Sequence, residues 1–147
     1  MDLRISAKMS VQRDPGIDWE YKKSVPDRIG IVDSDSAVRH STRMLLEVHG
    51  FLADEFESAA ALLESPLCPH LSCLVVDQQI PDVTGLELVE RLHAQGIATP
   101  VILTAERPAS TLADRIRRAG VVALLIKPIQ HDELLSWINH IGRAHAK

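Results

Sequence analysis

Polar and charged residues directly follow four short apolar runs of this chain, which has 147 residues. They are Asp33-Ser34-Asp35, Asp77, Thr104 and Lys127. Clustered carboxylates repel one another and are tolerated when a cation lies between them. Mg²⁺ prefers such hard oxygen ligands and commonly takes one or two carboxylates plus phosphate oxygens, while a lysine and a hydroxyl complement an anion. Brought together, these residue types indicate a phosphoryl-transfer site.

The apolar runs themselves predict the strands that must position these residues. Four runs are almost continuously apolar, as in strands buried on both faces, whereas Phe51–Phe56 is half apolar, as in an edge strand. The four buried strands are predicted over residues 29–32, 72–76, 101–103 and 121–126. Strands that alternate with helices predict an α/β fold, a doubly wound parallel sheet of five strands with helices on both faces.

Apolar residues between the predicted strands recur at helical spacing, which predicts four amphipathic helices that bury these residues in the core. The four stripes are Val38, Leu45 and Val48; Leu86, Val89 and Leu92; Leu112, Ile116 and Ala119; Leu134, Ile138 and Ile141. A shorter Ala-Leu segment after Ser58 predicts a fifth helix with this serine as its N-cap. Gly50, Gly96 and Gly120 fall where helices should end, since glycine readily takes the left-handed cap conformation.

The carboxyl ends of all parallel strands meet at one edge of an open sheet, where ligands bind in this architecture. We therefore expect the four polar strand ends to converge. Each has an ordinary explanation on its own: Asp35 could cap the following helix, Thr104 could be a strand residue, and Lys127 could be a solvated charge. Their coincidence at one edge favours the site.

Composition excludes several other classes of protein. The formal net charge of −4, with acidic and basic residues interspersed, offers no basic surface for nucleic acid or an anionic membrane. No apolar stretch approaches the ~20 residues that span a bilayer, and no signal peptide is evident, so we expect a cytoplasmic protein. Cys68 and Cys73 lack metal-site or redox spacing, which predicts reduced thiols. Residues 1–26 are predicted to be a flexible N-terminal leader, and residues 27–147 the domain.

Over about residues 28–143 the chain resembles the receiver domains of two-component response regulators. The matching segments are Ile31-Val32-Asp33, Leu74–Gly85, Val101–Ala105 and Ile126-Lys127-Pro128. The second segment is specific, because it reads Asp-x-x-Ile-Pro-Asp-x-x-Gly and its proline and glycine shape the loop after the acceptor. The resemblance implies the flavodoxin-like strand order 2-1-3-4-5.

The resemblance also implies a role for each residue. Asp77 would take a phosphoryl group from a sensor histidine kinase or a phosphotransfer protein. Asp33, Asp77 and the backbone carbonyl of Gln79 would hold Mg²⁺, while Thr104 and Lys127 would bind the phosphoryl oxygens. The Lys-Pro peptide bond is commonly cis in this family. Such a domain is a phosphoacceptor with at most self-phosphorylation and autodephosphorylation activity, rather than an enzyme.

Phosphorylation would be read by a downstream protein target on the face formed by the fourth helix, fifth strand and fifth helix. Charged residues of the fourth helix could also make reciprocal salt bridges in a homodimer through this face. They are Asp114, Arg115, Arg117 and Arg118. Because no second domain follows residue 145, we expect output through protein contacts rather than DNA binding by this chain.

Two positions depart from the family pattern. Ser34 stands where the family usually has a second acidic residue, so Mg²⁺ should bind more weakly unless Asp35 replaces it, and that alternative stays open against the role of Asp35 as an N-cap. Leu124 stands where many receivers carry an aromatic switch residue. An alternative function is therefore a pseudo-receiver, a protein-binding module in which phosphorylation is lost or weak.

A phosphatase is the remaining rival. Asp33-Ser34-Asp35 also resembles the Asp-x-Asp motif of haloacid-dehalogenase-type phosphatases, in which the first aspartate is the nucleophile. Those enzymes need another acidic pair at a strand end after the lysine. Here only Asp132 and Glu133 follow, and a helix N-terminus explains acidic residues there more simply. The acyl phosphate would lie on Asp33 in the phosphatase and on Asp77 in the receiver.

Overall fold

The computed structural model of this chain describes residues 27–107 and 113–145. Five strands and five α-helices alternate along them, with one short 3₁₀ helix at Cys68–His70 that the sequence patterns did not predict. The strands are β1 Arg28–Val32, β2 Leu52–Phe56, β3 Cys73–Asp77, β4 Val101–Ala105 and β5 Ala123–Ile126. The helices are α1 Ser36–Val48, α2 Ala59–Glu64, α3 Gly85–Ala94, α4 Ala113–Arg118 and α5 His131–His145.

All five strands are parallel and lie in the order β2-β1-β3-β4-β5. This arrangement confirms the predicted doubly wound sheet and its strand order. The strand β2 lies at an edge, as its half-apolar pattern predicted, while β1, β3 and β4 each have a neighbouring strand on both sides. The carboxyl ends of β1, β3, β4 and β5 therefore lie next to one another. The prediction of a strand buried on both faces over residues 121–126 is wrong in its burial, because β5 spans only Ala123–Ile126, lies at the other edge, and leaves Ile126 38% exposed.

Alternating side chains of the strands form two apolar layers, one on each face of the sheet. In β3, for example, Leu74 and Val76 pack with α2, α3 and Ile116 of α4, whereas Cys73 and Val75 pack with α1 and α5. Both cysteines are free and buried. Among the helices that the structure describes, none is long and apolar enough to cross a membrane.

Glycine in the middle of β1 lets two leucine side chains pack directly against the strand, and any other residue would require them to shift. A Cβ atom at Gly30 would lie 2.8 Å from side-chain atoms of both Leu71 and Leu74. Gly50, Gly96 and Gly120 all have positive φ angles, which confirms their predicted places at helix ends.

The predicted core stripe of α1 is wrong at Val48. The side chain of Val48 is 80% exposed, whereas Leu46 is completely buried. The two residues lie two positions apart, which is about 200° around a helix of 3.6 residues per turn, so they cannot share a face. Leu112 and residues 1–26 lie outside the described residues, and the predictions made for them stay predictions.

Candidate functional site

The pleat of the sheet directs four of the predicted site residues to one face. Ile31, Val75, Ile102 and Leu125 all belong to the apolar layer against α1 and α5. The residue two positions after each of them is respectively Asp33, Asp77, Thr104 and Lys127. Side chains two positions apart on a strand point the same way, so each predicted residue extends the α1/α5 side of its strand beyond the apolar layer. In the sheet, Asp77 and Thr104 are direct neighbours on β3 and β4.

The ammonium group of Lys127 joins the two carboxylates. Its Nζ lies 3.2 Å from Oδ2 of Asp33 and 3.2 Å from Oδ2 of Asp77. Both carboxylates and the Thr104 side chain are buried, so these ionic contacts are shielded from solvent. The peptide bond between Lys127 and Pro128 is cis, as in the family that the sequence resembles. The predicted convergence of Asp33, Asp77 and Lys127 is therefore present.

Burial and the neighbouring charges together set the pKa shifts of Asp77 and Lys127. Burial, followed by the negative charge of Asp33, raises the pKa of Asp77 despite the stabilising contacts of Lys127 and the Gln79 amide. Burial lowers the pKa of Lys127, but the charges of Asp33 and Asp77 outweigh it and raise this pKa overall. Lys127 is thus held in its charged form, while ionised Asp77 is disfavoured by its surroundings.

The loop after β1 uses its two aspartates differently. Oδ1 of Asp33 accepts a hydrogen bond from the Asp35 amide at 2.9 Å. The carboxylate of Asp35 instead accepts from the amides of Ala37 and Val38 and is the N-cap of α1. Ser34 is exposed. Asp35 therefore fills the capping role that competed with metal binding in the sequence.

Backbone and side-chain hydrogen bonds fix the conformation of the loop that follows Asp77. The Gln79 amide donates to Oδ1 of Asp77 at 3.3 Å, and the side chain of Gln78 accepts from the Leu86 amide at 3.0 Å. Thr84 and Glu87 form a reciprocal capping box that starts α3. These contacts fix the direction in which the chain leaves the carboxylate.

Asp82 ties this loop to a different helix. Its carboxylate accepts hydrogen bonds from the amides of Ala59 and Ala60 at 3.1 and 2.9 Å, in the first turn of α2. Ser58 caps the same helix by accepting from the Ala61 amide, which confirms its predicted role. Some desolvation raises the pKa of Asp82, but the amides of Ala60 and Ala59 outweigh it, so the pKa is lowered overall.

Replacing Asp82 by alanine should lower the free energy of unfolding at pH 7 by about 1 kcal/mol, as is typical of a lost N-cap. Because the pKa of Asp82 is lowered in the folded state, its contribution is present above the unfolded value, about 3.9, and is lost as the pH falls through the folded value. Urea unfolding of both proteins between pH 7 and pH 3 measures this. Asp82→Asn keeps one acceptor oxygen but turns an NH₂ donor toward the second amide, so it should lose the acid dependence and keep only part of the stability. A constant difference across this range would contradict the prediction.

The donor set at this edge fits a hard divalent cation of the Mg²⁺ type. Asp33 and Asp77 supply carboxylate oxygens, and the main-chain carbonyl of Gln79 lies two residues beyond Asp77. Within the described ranges no group of three or more His, Cys, Asp or Glu side chains could hold a metal ion. Two carboxylates with a carbonyl and several waters is the usual composition of a magnesium site, whereas a zinc site would need more side-chain ligands.

Two residues near the site were missed by the sequence patterns. Nη1 of Arg39 donates to the main-chain carbonyl of Asp33 at 2.7 Å, and its Nε donates to Glu55 at 3.0 Å. No motif spacing predicts this bridge, because its contact to Glu55 joins α1 to β2 across 16 positions of the chain. Asp82 was noticed only as part of a loop motif, and its partners lie 22 and 23 positions away.

Comparison with known sequences gives one consistent result. The family model described as response regulator receiver domain matches residues 29–139. The transcriptional regulatory protein FixJ of Azorhizobium caulinodans is 31% identical over 117 residues, which are 79% of this chain and 56% of that protein. FixJ of Bradyrhizobium diazoefficiens is 32% identical over 110 residues, covering 75% of this chain and 54% of that protein. The chain therefore spans about half the length of these curated relatives.

Solved structures agree on the fold. A CheY-like response regulator receiver domain protein from Methanospirillum hungatei superimposes with a TM-score of 0.73 at 24% identity, covering 81% of this chain and 95% of that one. The response regulator StyR superimposes with a TM-score of 0.73 at 30% identity, covering 82% of this chain and 61% of that one. Together with the five-stranded sheet and its acidic edge, these matches show that the chain belongs to the family of response regulator receiver domains of two-component systems.

Proposed function

We propose that Asp77 is the phosphoacceptor of this receiver domain. The observation that carries the proposal is the position of Lys127, whose ammonium nitrogen lies 3.2 Å from both Asp33 and Asp77. A buried cation between two carboxylates is suited to an anion that arrives on one of them, because it can then pair with the new phosphoryl oxygen. Thr104, beside Asp77 in the sheet, is the hydroxyl donor for a second oxygen.

The reaction is a direct transfer between two nucleophiles. A carboxylate oxygen of Asp77 forms the new O–P bond, the N–P bond of a phosphohistidine breaks, and its electron pair returns to the imidazole. The sensor histidine kinase or phosphotransfer protein is thus the donor partner. Since the chain supplies the acceptor and the positive charge while the partner supplies the phosphoryl group, we assign it as a signalling module rather than an enzyme.

Mg²⁺ is the cofactor that we assign to this site, held by Asp33, Asp77 and the Gln79 carbonyl. When bound, it neutralises negative charge on the transferred phosphoryl oxygens. Ser34 and Asp35 are the two remaining candidates for a further ligand, and the capping bonds of Asp35 favour its structural role. With a hydroxyl in place of a second acidic side chain, we expect modest affinity for the ion.

Signalling to a downstream protein is assigned to the face formed by α4, β5 and α5. Ile126 of β5 is 38% exposed there. Two of the α4 arginines are already engaged within the chain, since Arg115 pairs with Glu90 of α3 at 3.1 Å and Arg117 pairs with Asp114 at 2.8 Å. A homodimer through this face would therefore exchange these exposed intrachain pairs for contacts with a second copy.

Ser34 and Leu124 favour a second candidate, a pseudo-receiver that binds proteins without phosphorylation. Leu124 is partly buried and lies beside Leu103 in the sheet, where it cannot act as an aromatic switch. This alternative keeps the fold and the binding face but requires no chemistry at Asp77. The two candidates differ in one measurable property, the formation of an acyl phosphate.

Incubation with a small phosphodonor such as acetyl phosphate, with and without Mg²⁺, tests the proposal. Intact mass spectrometry should show one added phosphoryl group on the native protein in the presence of Mg²⁺ and none on Asp77→Asn. An Asp33→Asn variant should retain a slow mass gain, because it loses a metal ligand but keeps the acceptor.

The outcomes separate the three functions. No gain in the native protein, repeated with a phosphorylated histidine donor protein, would favour the pseudo-receiver. A gain that survives in Asp77→Asn but disappears in Asp33→Asn would instead indicate the phosphatase-type nucleophile.

A further inference from the structure

The main chain of Asp33 is connected to β2 through both its amide and its carbonyl, the carbonyl by way of Arg39 of α1. Its amide donates to the carbonyl of Phe56 at 3.2 Å. Its carbonyl accepts from Nη1 of Arg39 at 2.7 Å, and Nε of the same guanidinium donates to Oε1 of Glu55 at 3.0 Å. The side chains of Arg39 and Glu55 are only 14% and 19% exposed. The amide of Asp33 thus contacts β2 directly, whereas its carbonyl is linked to β2 through the shielded ion pair of Arg39 and Glu55.

Arginine is suited to this bridge because its planar guanidinium presents several donors in a fixed geometry. One edge serves the Asp33 carbonyl while the other serves the carboxylate of Glu55. A second guanidinium, that of Arg43, reaches the other oxygen of Glu55 at 3.2 Å but makes no hydrogen bond to Asp33 among the described contacts. Arg39 alone therefore links the Asp33 loop to this ionic cluster.

We propose that Arg39, held by Glu55, is a positioning residue. It fixes the orientation of Asp33 so that the carboxylates of Asp33 and Asp77 can bind the same cation. The inference rests on the proposed function of this edge and adds a residue pair outside it. It matters here because Ser34 leaves Asp33 as the one buried carboxylate of its loop. Groups that orient a metal ligand commonly change metal affinity by 10-fold or more when they are removed.

Charge and geometry make opposite predictions for Arg39, which makes the proposal testable. If only its positive charge mattered, removing it would strengthen the binding of a divalent cation. If it positions Asp33, removing it should weaken that binding. Arg39→Lys separates the two further, since it retains the charge but a single ammonium group cannot reproduce the planar fork.

The test is a titration of the full chain with MgCl₂, followed by the amide resonances of the β1–α1 loop in ¹H–¹⁵N NMR spectra. We expect Arg39→Gln to weaken the apparent Mg²⁺ affinity about 10-fold, and Arg39→Lys to weaken it in the same direction. Arg43→Gln is the matched control, because it removes the same charge from the same helix together with an ion pair to Glu55. Its affinity should stay within about twofold of the native value, since a partly exposed charge is screened by salt and Arg43 makes no hydrogen bond to Asp33 among the described contacts.

A second readout needs no metal. The Asp35 amide donates to Oδ1 of Asp33, so the hydrogen exchange rate of this amide reports on the orientation of the Asp33 carboxylate. Exchange should be faster in Arg39→Gln than in Arg43→Gln or the native protein, and Glu55→Gln, which keeps the shape of the partner, should lie between. Unchanged exchange, or tighter Mg²⁺ binding in Arg39→Gln, would overturn the positioning role. If the native protein bound no Mg²⁺, the metal part of the proposed function would fail, and amide exchange alone would decide the role of Arg39.

Discussion

Replacing Lys127 by methionine should lower the free energy of unfolding by about 3 kcal/mol at pH 7, because it leaves two buried carboxylates without their shared cation. The lysine side chain is 17% exposed and contacts both Asp33 and Asp77, so solvent cannot substitute for it fully. Urea denaturation followed by circular dichroism measures the loss. Added MgCl₂ should restore part of the stability, since an ion that binds only the folded state favours it.

The pH dependence follows from the directions of the pKa shifts. The pKa of Lys127 is raised, so its stabilising contribution in the native protein is present below the unfolded value, about 10.4, and is lost as the pH rises through the folded value. In the methionine variant the penalty should shrink as the pH falls and Asp77, whose pKa is already raised in the native protein, takes up a proton. The double variant Lys127→Met with Asp77→Asn has one carboxylate fewer and should recover part of the loss. A methionine variant as stable as the native protein at every pH would contradict a neutralising role for Lys127.

Replacing Gly85 by alanine should lower the free energy of unfolding by about 2 to 3 kcal/mol, in the range seen for overpacked sites. A Cβ atom there would lie 2.7 Å from the main-chain oxygen of Asp77 and 2.8 Å from a side-chain carbon of Leu103. Because the nearer atom belongs to the backbone of the proposed acceptor, relief of the clash must move either Asp77 or the start of α3 away from it. We therefore also expect slower phosphorylation by acetyl phosphate.

Gly50→Ala is the matched control for this effect. Gly50 has a φ angle of 91°, yet nothing lies within 4 Å of a Cβ atom built on it. Its replacement should lower the free energy of unfolding by about 1 kcal/mol through the left-handed backbone alone and leave phosphorylation unchanged. Equal effects of the two variants on stability and on phosphorylation would show that the close approach at Gly85 is unimportant.

The elements of this protein could be predicted because their causes are local. A strand buried on both faces must be apolar throughout, and the apolar runs that end at Val32 and Val76 are such strands in the structure. Helix ends were predictable for the same reason, since the capping roles of Asp35 and Ser58 involve amides no more than three positions away. The strand order came from the family resemblance rather than from any single pattern.

The site was predictable in part. The position of a polar residue directly after an apolar strand places it at the carboxyl edge, which is how Asp33, Asp77, Thr104 and Lys127 could be chosen. The face on which their side chains lie became clear only from the apolar layer that the structure places beneath them. The exposure of Val48 could not be predicted in the same way, because Val38, Leu45 and Val48 are compatible with more than one buried face of α1 until the helix is packed on the sheet.

The sequence by itself determined which residues can do chemistry here and at which edge of the sheet they lie, because both depend on neighbours along the chain. Only the tertiary structure decided what holds them in place: the bridge from Arg39 to Glu55 and the cap that Asp82 gives to α2. These contacts join elements that are distant in sequence, and their partners depend on how helices and loops pack after the sheet has formed. Charged side chains that look equivalent in the sequence therefore acquire different roles only through the fold.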